Sequence, residues 1–205
     1  MTKRPIIVLD ADGVLLNYHE AYRHLWLKAF GVLPELADPQ AYFPYDRWKV
    51  PRLDSADRDH LRACQDETFW ETLPAMDGAL DAAMNLHVSG FELICVSALP
   101  LKFEAARLKN IRDLGFPIER VYATPVTPDN ESNRSVKAGA LAQILPVAFV
   151  DDYAPYLRGV PTSVHAALIM RQPNGSPNVG EDLALAHSKH EDLSGFARWW
   201  LNRKD

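Results

Sequence analysis

The stretch Ile6-Ile7-Val8-Leu9-Asp10-Ala11-Asp12-Gly13-Val14-Leu15 decides the fold of this chain. Four consecutive apolar residues predict a short strand buried on both faces, as in a parallel sheet covered by helices on each side. In such sheets ligands bind just beyond the carboxyl ends of the strands, so Asp10 and Asp12 fall at the rim where substrates sit. An Asp-Gly pair after a strand is also ordinary turn chemistry, and the motif alone leaves both readings open.

A second acidic strand end lies far along the chain, at Val147-Ala148-Phe149-Val150-Asp151-Asp152. Four carboxylates at one sheet edge repel strongly at low effective dielectric, and a hard, oxygen-preferring cation such as Mg2+ is the economical way to hold them together. Between the two ends, the strand pattern Phe91 to Val96 delivers Ser97 to the same edge, just before Pro100, which suits the first turn of a helix. Lys137 opens the helical pattern Ala138, Leu141, Ile144, Leu145, which leads into the strand ending at Asp151. Taken singly, Ser97 suits a helix cap and Lys137 a solvated surface. In the order acid pair, serine, lysine, acid pair, they form the outline of an anion site.

These elements, DADGV at Asp10 to Val14, VSA at Val96 to Ala98, Lys137, and VDD at Val150 to Asp152, resemble the motif series of the haloacid dehalogenase-like hydrolase superfamily, phosphatase type. The resemblance covers about Pro5 to Met170. It implies an α/β fold: a Rossmann-like three-layer core with a central parallel sheet, plus a small helical cap inserted after the first motif. It also implies Mg2+-dependent hydrolysis of a small-molecule phosphate monoester through an aspartyl-phosphate on Asp10. Asp12 would act as general acid and then as base, and Ser97 and Lys137 would bind the phosphoryl oxygens. Mg2+ would be held by the Asp10 carboxylate, the Asp12 main-chain carbonyl and Asp151, with Asp152 either a further ligand or the partner that orients Lys137.

The stretch from about Leu16 to Pro74 is far too long for a first crossover and carries helical patterns at Ala21, Leu25, Lys28, Ala29 and from Asp57 to Trp70. This divides the chain into a core of residues 1–16 and 75–205 and a cap of residues 17–74, placed to close over the acidic site and exclude water. Within it, Ala41 to Arg52 interleaves aromatics with cations. Tyr45, Arg47 and Trp48 could stack a ring and pair a phosphate; equally, these aromatics could pack the segment's own core. The return segment Leu73 to Ala79 and the small cap are similar to those of 5'-nucleotidases acting on deoxyribonucleotides, which makes a (deoxy)nucleotide the specific form of the expected substrate.

Composition agrees. With 205 residues and 47% hydrophobic content, the chain can bury one sizeable core with a modest insertion. A net charge of -5 argues against a nucleic-acid polymer or an anionic membrane as partner, since both demand a basic face. No apolar run reaches membrane-spanning length, and the run after Met1-Thr2-Lys3-Arg4 is too short for a secretory signal, so the cytoplasm is the expected compartment. Cys64 and Cys95 are expected as reduced thiols. Nothing in the pattern specifies an oligomeric state.

Five strands are predicted, at Pro5 to Leu9, Phe91 to Val96, Glu119 to Ala123, Val147 to Val150 and Val164 to Met170, alternating with helices as a parallel sheet requires. A helix from Leu101 is predicted to bury Leu101, Ala105, Leu108, Ile111 and Leu114 and to close at Gly115. A C-terminal helix should bury Leu193, Phe196, Ala197, Trp200 and Leu201. His187 and His190 are expected on a solvated stretch, His19 and His24 near the cap entrance in surface or packing roles, with contact to substrate the less favoured alternative, and Arg171 to Asn178 as turn chemistry.

Other functions fit less well. A haloacid dehalogenase would keep Asp10 as nucleophile but needs neither the acid two residues on nor a divalent metal. A phosphomutase needs a second anion site in the cap. A signalling receiver domain carries its phosphoacceptor on a later strand and has no insertion of this length, and a non-catalytic relative would lack some of the polar groups present here.

Overall fold

The computed structural model describes residues 4–125 and 134–203; Met1 to Lys3 lie outside them. Strand β1 (Ile6–Leu9) sits in the middle of a six-stranded, all-parallel sheet of order β3-β2-β1-β4-β5-β6, in which β2 is Glu92–Ser97, β3 Ile118–Ala123, β4 Ala148–Asp151, β5 His165–Ile169 and β6 Ser188–His190. The unbroken apolar run of β1 follows from burial on both faces. Ile7 and Leu9 enter one core with Leu93, Cys95, Ala148 and Val150; Ile6 and Val8 enter the other with Ile94, Val96 and Phe149. Helices α5 (Ala79–Val88), α6 (Glu104–Asp113) and α8 (Leu193–Asn202) bring buried residues to the first core, and α7 (Ala138–Ile144) to the second. Cys95 is buried, Cys64 is half-buried, and both are free thiols.

The turn after β1 determines how the intervening chain leaves. Asp10 N–H still donates to the Val150 carbonyl (2.9 Å), extending the ladder by one residue, and then Gly13 turns the chain at φ +89 with its N–H on the Leu16 carbonyl (2.8 Å). Leu16 bridges Ala75 in antiparallel fashion, Asn17 N–H donates to the Pro74 carbonyl (2.8 Å) and Met76 N–H to the Leu15 carbonyl (2.9 Å). Exit and return of the 17–74 segment are thus tied at one point. Between them lie α1 (Tyr18–Phe30), α2 (Pro44–Arg47), α3 (Ser55–Ala63) and α4 (Glu67–Glu71). The Asn17, Asp54 and Asp66 side chains cap the starts of α1, α3 and α4, and left-handed Gly31 ends α1.

Three sequence expectations need correction. The helix after Ser97 begins as a 3-10 turn at Leu101–Phe103, which changes the phase, so α6 buries Ala106, Arg107, Asn110 and Ile111 while Leu101 stays 63% exposed. The two buried polar residues of that face are held by tertiary partners: Asn110 Nδ2 donates to the Leu73 carbonyl at 3.0 Å, and Arg107 pairs with Asp12. Second, the stretch of His187 and His190 is only partly solvated: His187 is exposed, though its Nδ1 accepts from Ala166 N–H at 2.9 Å, whereas His190 ends β6, is half-buried and packs on Phe196 and Trp199. Three residues were too few for a strand to stand out in the sequence. Third, Leu201 of α8 is 38% exposed, while Leu193, Phe196, Ala197 and Trp200 are buried.

Candidate active site

The carboxyl ends of β1, β2 and β4 open into a cavity of about 740 Å3. Asp10 and Asp12 line it from the turn after β1, Ser97 from the end of β2, and Asp152 from the end of β4. Parallel pairing in register, Leu9 beside Cys95 and Val150, makes this convergence unavoidable once the sheet forms.

Lys137 stands at the N-terminus of α7 and is fully enclosed, with Nζ 2.5 Å from Asp10 Oδ1 and 2.6 Å from Asp151 Oδ2. Its ammonium also lies 4.6 Å from the Tyr156 ring centroid. Burial works against the charge of Lys137, but the two carboxylates overcome it and hold its pKa above the ordinary lysine value. On the other side of the pair, burial raises Asp10 well above the usual carboxylate range, and Lys137 opposes this. Asp151 is pushed up to about 6 for the same reasons in the same order. Its carboxylate is spent on structure, Oδ2 on Lys137 and Oδ1 accepting Tyr153 N–H at 2.9 Å, and it does not line the cavity.

The other two acids have cations of their own. Arg107 of α6 places Nη2 2.9 Å from Asp12 Oδ1 and 3.0 Å from Oδ2, the latter with hydrogen-bond geometry. Burial raises the pKa of Asp12, and Arg107 opposes the rise. Arg171, just past β5, donates from Nε to Asp152 Oδ2 at 2.6 Å and stacks over Tyr42, 5.0 Å from the ring centroid. A Cβ at position 13 would come within 2.6 Å of Arg171 Nε and collide with Asp152, so this pair fits only because Gly13 has no side chain. Asn178 completes the setting, donating to the Asp152 carbonyl and accepting Ala154 N–H, both at 2.7 Å.

Asp10, Asp151 and Asp152 each offer an oxygen within 4.8 Å of the others, the one such group among the described residues. An all-oxygen set of this kind suits a hard cation. Asp10 and Asp152 present theirs to the cavity.

The proposed substrate loop is arranged otherwise than expected. Trp48 is buried, its indole N–H donating to the His19 carbonyl at 2.8 Å; Arg47 donates to the Pro39 carbonyl at 2.5 Å; Tyr45 is exposed, stacked on Phe43 and capped by Arg52. None of the three lines the cavity. Their neighbours Tyr42, Phe43 and Pro44 do, with Tyr18 and His19 of α1 and Tyr153 and Tyr156 after β4. Sequence reasoning missed Arg107 and Arg171. Arg171 had a signal, being the first charged residue beyond a strand's carboxyl end; Arg107 had none, since a helical arginine is ordinarily solvated.

Neither a protein-family model nor a curated protein matches the chain. Solved structures do. A haloacid dehalogenase-like family hydrolase from Streptococcus pneumoniae is 14% identical with TM-score 0.62, over 98% of this chain and 100% of that one. A HAD family hydrolase from Deinococcus radiodurans R1 with bound phosphate and sodium is 15% identical with TM-score 0.57, over 97% and 95%. The L-2-haloacid dehalogenase from Xanthobacter autotrophicus with chloropropionic acid covalently bound is 13% identical with TM-score 0.57, over 98% and 100%. The fold of this chain is that of the haloacid dehalogenase-like hydrolases. Among the described residues, no helix is long and apolar enough to cross a membrane.

Proposed function

We propose that this chain is a haloacid dehalogenase-like phosphatase that hydrolyses small phosphate monoesters through an aspartyl-phosphate on Asp10. The observation that carries this reading is the pair of carboxylates, Asp10 on Lys137 and Asp12 on Arg107, both lining one cavity with Ser97. Lys137 opposes the burial that would protonate Asp10 and so favours the ionised nucleophile. Asp12 gives a proton to the departing oxygen and then takes one from the water that opens the aspartyl-phosphate. Ser97 donates to a phosphoryl oxygen. Mg2+, for which Asp10, Asp152 and the Asp12 carbonyl are the fitting ligands, would add positive charge against the phosphoryl oxygens. The 17–74 segment acts as a cap whose Tyr18, Tyr42 and Phe43 face the leaving group. A dehalogenase would leave the Asp12–Arg107 and Asp152–Arg171 pairs without a task.

The rings lining the cavity favour a narrower form: Tyr42 and Phe43 from one segment and Tyr153 and Tyr156 from another suit a planar base, and the volume admits a nucleoside monophosphate. The test is phosphate release by purified protein from nucleotides, sugar phosphates and acid phosphates, with and without Mg2+. Release that requires Mg2+ and is fastest on nucleotides is the expected result; no release from any ester overturns the reading.

A further inference from the structure

We propose that Arg107 is a positioning residue for Asp12, and that by resting on Trp70 it makes the place of that carboxylate depend on the 17–74 segment. The inference rests on the reading of Asp12 as the group that serves the leaving oxygen. Arg107 is fully enclosed, and its one ionic partner among the described residues is Asp12, whose two oxygens a single nitrogen, Nη2, straddles at 2.9 and 3.0 Å. Nε and Nη1 have no hydrogen-bond partner among the described residues. A buried guanidinium with unmatched donors adds little to stability, and an apolar side chain of similar length would fill the space at lower cost. Packing therefore does not account for an arginine here, whereas the position of its charge does.

The second contact explains what the arginine connects. Its guanidinium carbon lies 4.9 Å from the centroid of the Trp70 ring on α4, which in turn stacks on Tyr18 at 6.4 Å and touches Phe103 at 5.9 Å. One turn further along α6, Asn110 is tied to the Leu73 carbonyl at the return of the 17–74 segment. Arg107 thus reaches from the core helix α6 to the segment that brings Tyr18 to the cavity, and Asp12 is oriented through both. A lysine could supply the charge but not a planar group that rests on the indole while spanning a carboxylate.

The test uses the full chain with Mg2+ and two esters, an aryl ester whose phenolate leaves readily and an alkyl ester whose leaving oxygen needs a proton. Arg107→Met should lower kcat on the alkyl ester about a hundredfold, with KM changed less than about twofold and only a few-fold loss on the aryl ester. In an Asp12→Asn background the same change should cost nothing further, because a residue that acts only through Asp12 has nothing left to act on. Arg107→Lys should lose about tenfold and Trp70→Leu about fivefold on the alkyl ester, with the same sparing of the aryl ester. These two variants carry the test if Arg107→Met does not fold. Equal losses on both esters, or a loss that adds to Asp12→Asn, with the wild type active, overturn this inference alone and leave the phosphatase reading standing. A wild type inactive on every ester overturns both.

Discussion

The floor of the cavity is made of charges that hold one another, and its wall of rings held mostly by packing, with Tyr42 also reaching the floor through its hydroxyl on Asp152 Oδ2 at 3.3 Å. In the floor, Asp10 and Asp151 share Lys137, Asp12 has Arg107, and Asp152 has Arg171, so three internal cations stand against four carboxylates. In the wall, Tyr42 and Phe43 meet edge to face at 5.1 Å and hang from backbone contacts such as His19 Nε2 donating to the Tyr42 carbonyl at 2.7 Å. The difference teaches that the two parts respond differently to change. A buried ion pair that loses one partner strands a charge, whereas a ring at a cavity wall can be trimmed at the cost of its own contacts. It also revises the electrostatic argument for a metal. Repulsion among four acids is already met by the protein's own cations, so a divalent ion would be asked for by the proposed phosphoryl transfer and not by assembly of the site.

The largest effect should fall on the floor. Asp10→Asn keeps the shape of the side chain and its place beside Lys137 but removes the nucleophilic charge, and phosphate release should drop by about a thousandfold or more on every ester. Robust turnover by the purified variant would falsify covalent catalysis at Asp10. Lys137→Met should act on the fold as well, because Asp10 and Asp151 are then buried beside each other without a cation, at a cost of about 3 to 5 kcal/mol in urea unfolding at neutral pH. Removal of divalent ions with a chelator should abolish release yet leave the unfolding midpoint in place. A midpoint that collapses on chelation would mean that the metal, and not Lys137, Arg107 and Arg171, assembles the floor.

The wall should show effects that depend on the substrate. Phe43→Ala should remove about 1 to 3 kcal/mol of transition-state binding from the preferred ester while a minimal artificial ester is cleaved almost as before, whereas Tyr42→Ala should slow both, because the Tyr42 hydroxyl donates to Asp152 Oδ2 at 3.3 Å and its ring carries Arg171. Tyr45→Ala, one ring further from the cavity, should alter neither. Trp48→Ala should instead cost about 3 to 5 kcal/mol of stability, since it removes a buried ring and its hydrogen bond to the His19 carbonyl. Specificity that follows Tyr45 or Trp48 in place of Phe43 would show that the loop rearranges when substrate binds.

The same contrast accounts for what the sequence disclosed. Floor residues such as Asp10, Ser97 and Asp152 follow directly on apolar strands, and parallel pairing alone carries them to one edge, so a one-dimensional pattern contained a three-dimensional site. The residues that neutralise them do not share that property. Arg107 reaches Asp12 only because a 3-10 turn rotates α6, and Arg171 reaches Asp152 only because Gly13 leaves room. The wall was legible as a region, an aromatic and basic stretch after α1, but not as residues: whether Tyr42 or Tyr45 points inward is decided by the close pairing of Tyr42 N–H with the Asn174 carbonyl at 2.9 Å, a contact more than a hundred positions away in the chain.

The smallest predicted effect separates floor from wall by the sign of a pH dependence. His19 is neutral in the folded wall: Nε2–H donates to the Tyr42 carbonyl, and Nδ1 faces Arg171 Nη1 at 3.4 Å, where a second ring proton would meet a guanidinium. Burial, helped by Arg171, lowers its pKa from 6.5 to about 4. The unfolded chain therefore takes up a proton below about pH 6.5 that the folded chain refuses until about pH 4, and stability is lost as pH falls through that window. Asp151 in the floor works the other way. Its folded pKa of about 6 lies above the 3.8 of an exposed aspartate, so the folded chain takes up the proton first and stability is gained as pH falls from about 6 to 3.8. His19→Gln keeps a donor to the Tyr42 carbonyl and deletes only the titration of the wall. Between about pH 7 and about pH 5.5 the wild type should lose about 1 kcal/mol relative to this variant in urea unfolding. Parallel behaviour of the two proteins would mean that His19 is charged in the folded state, and that Arg171 is aimed at Asp152 without being held there by the wall.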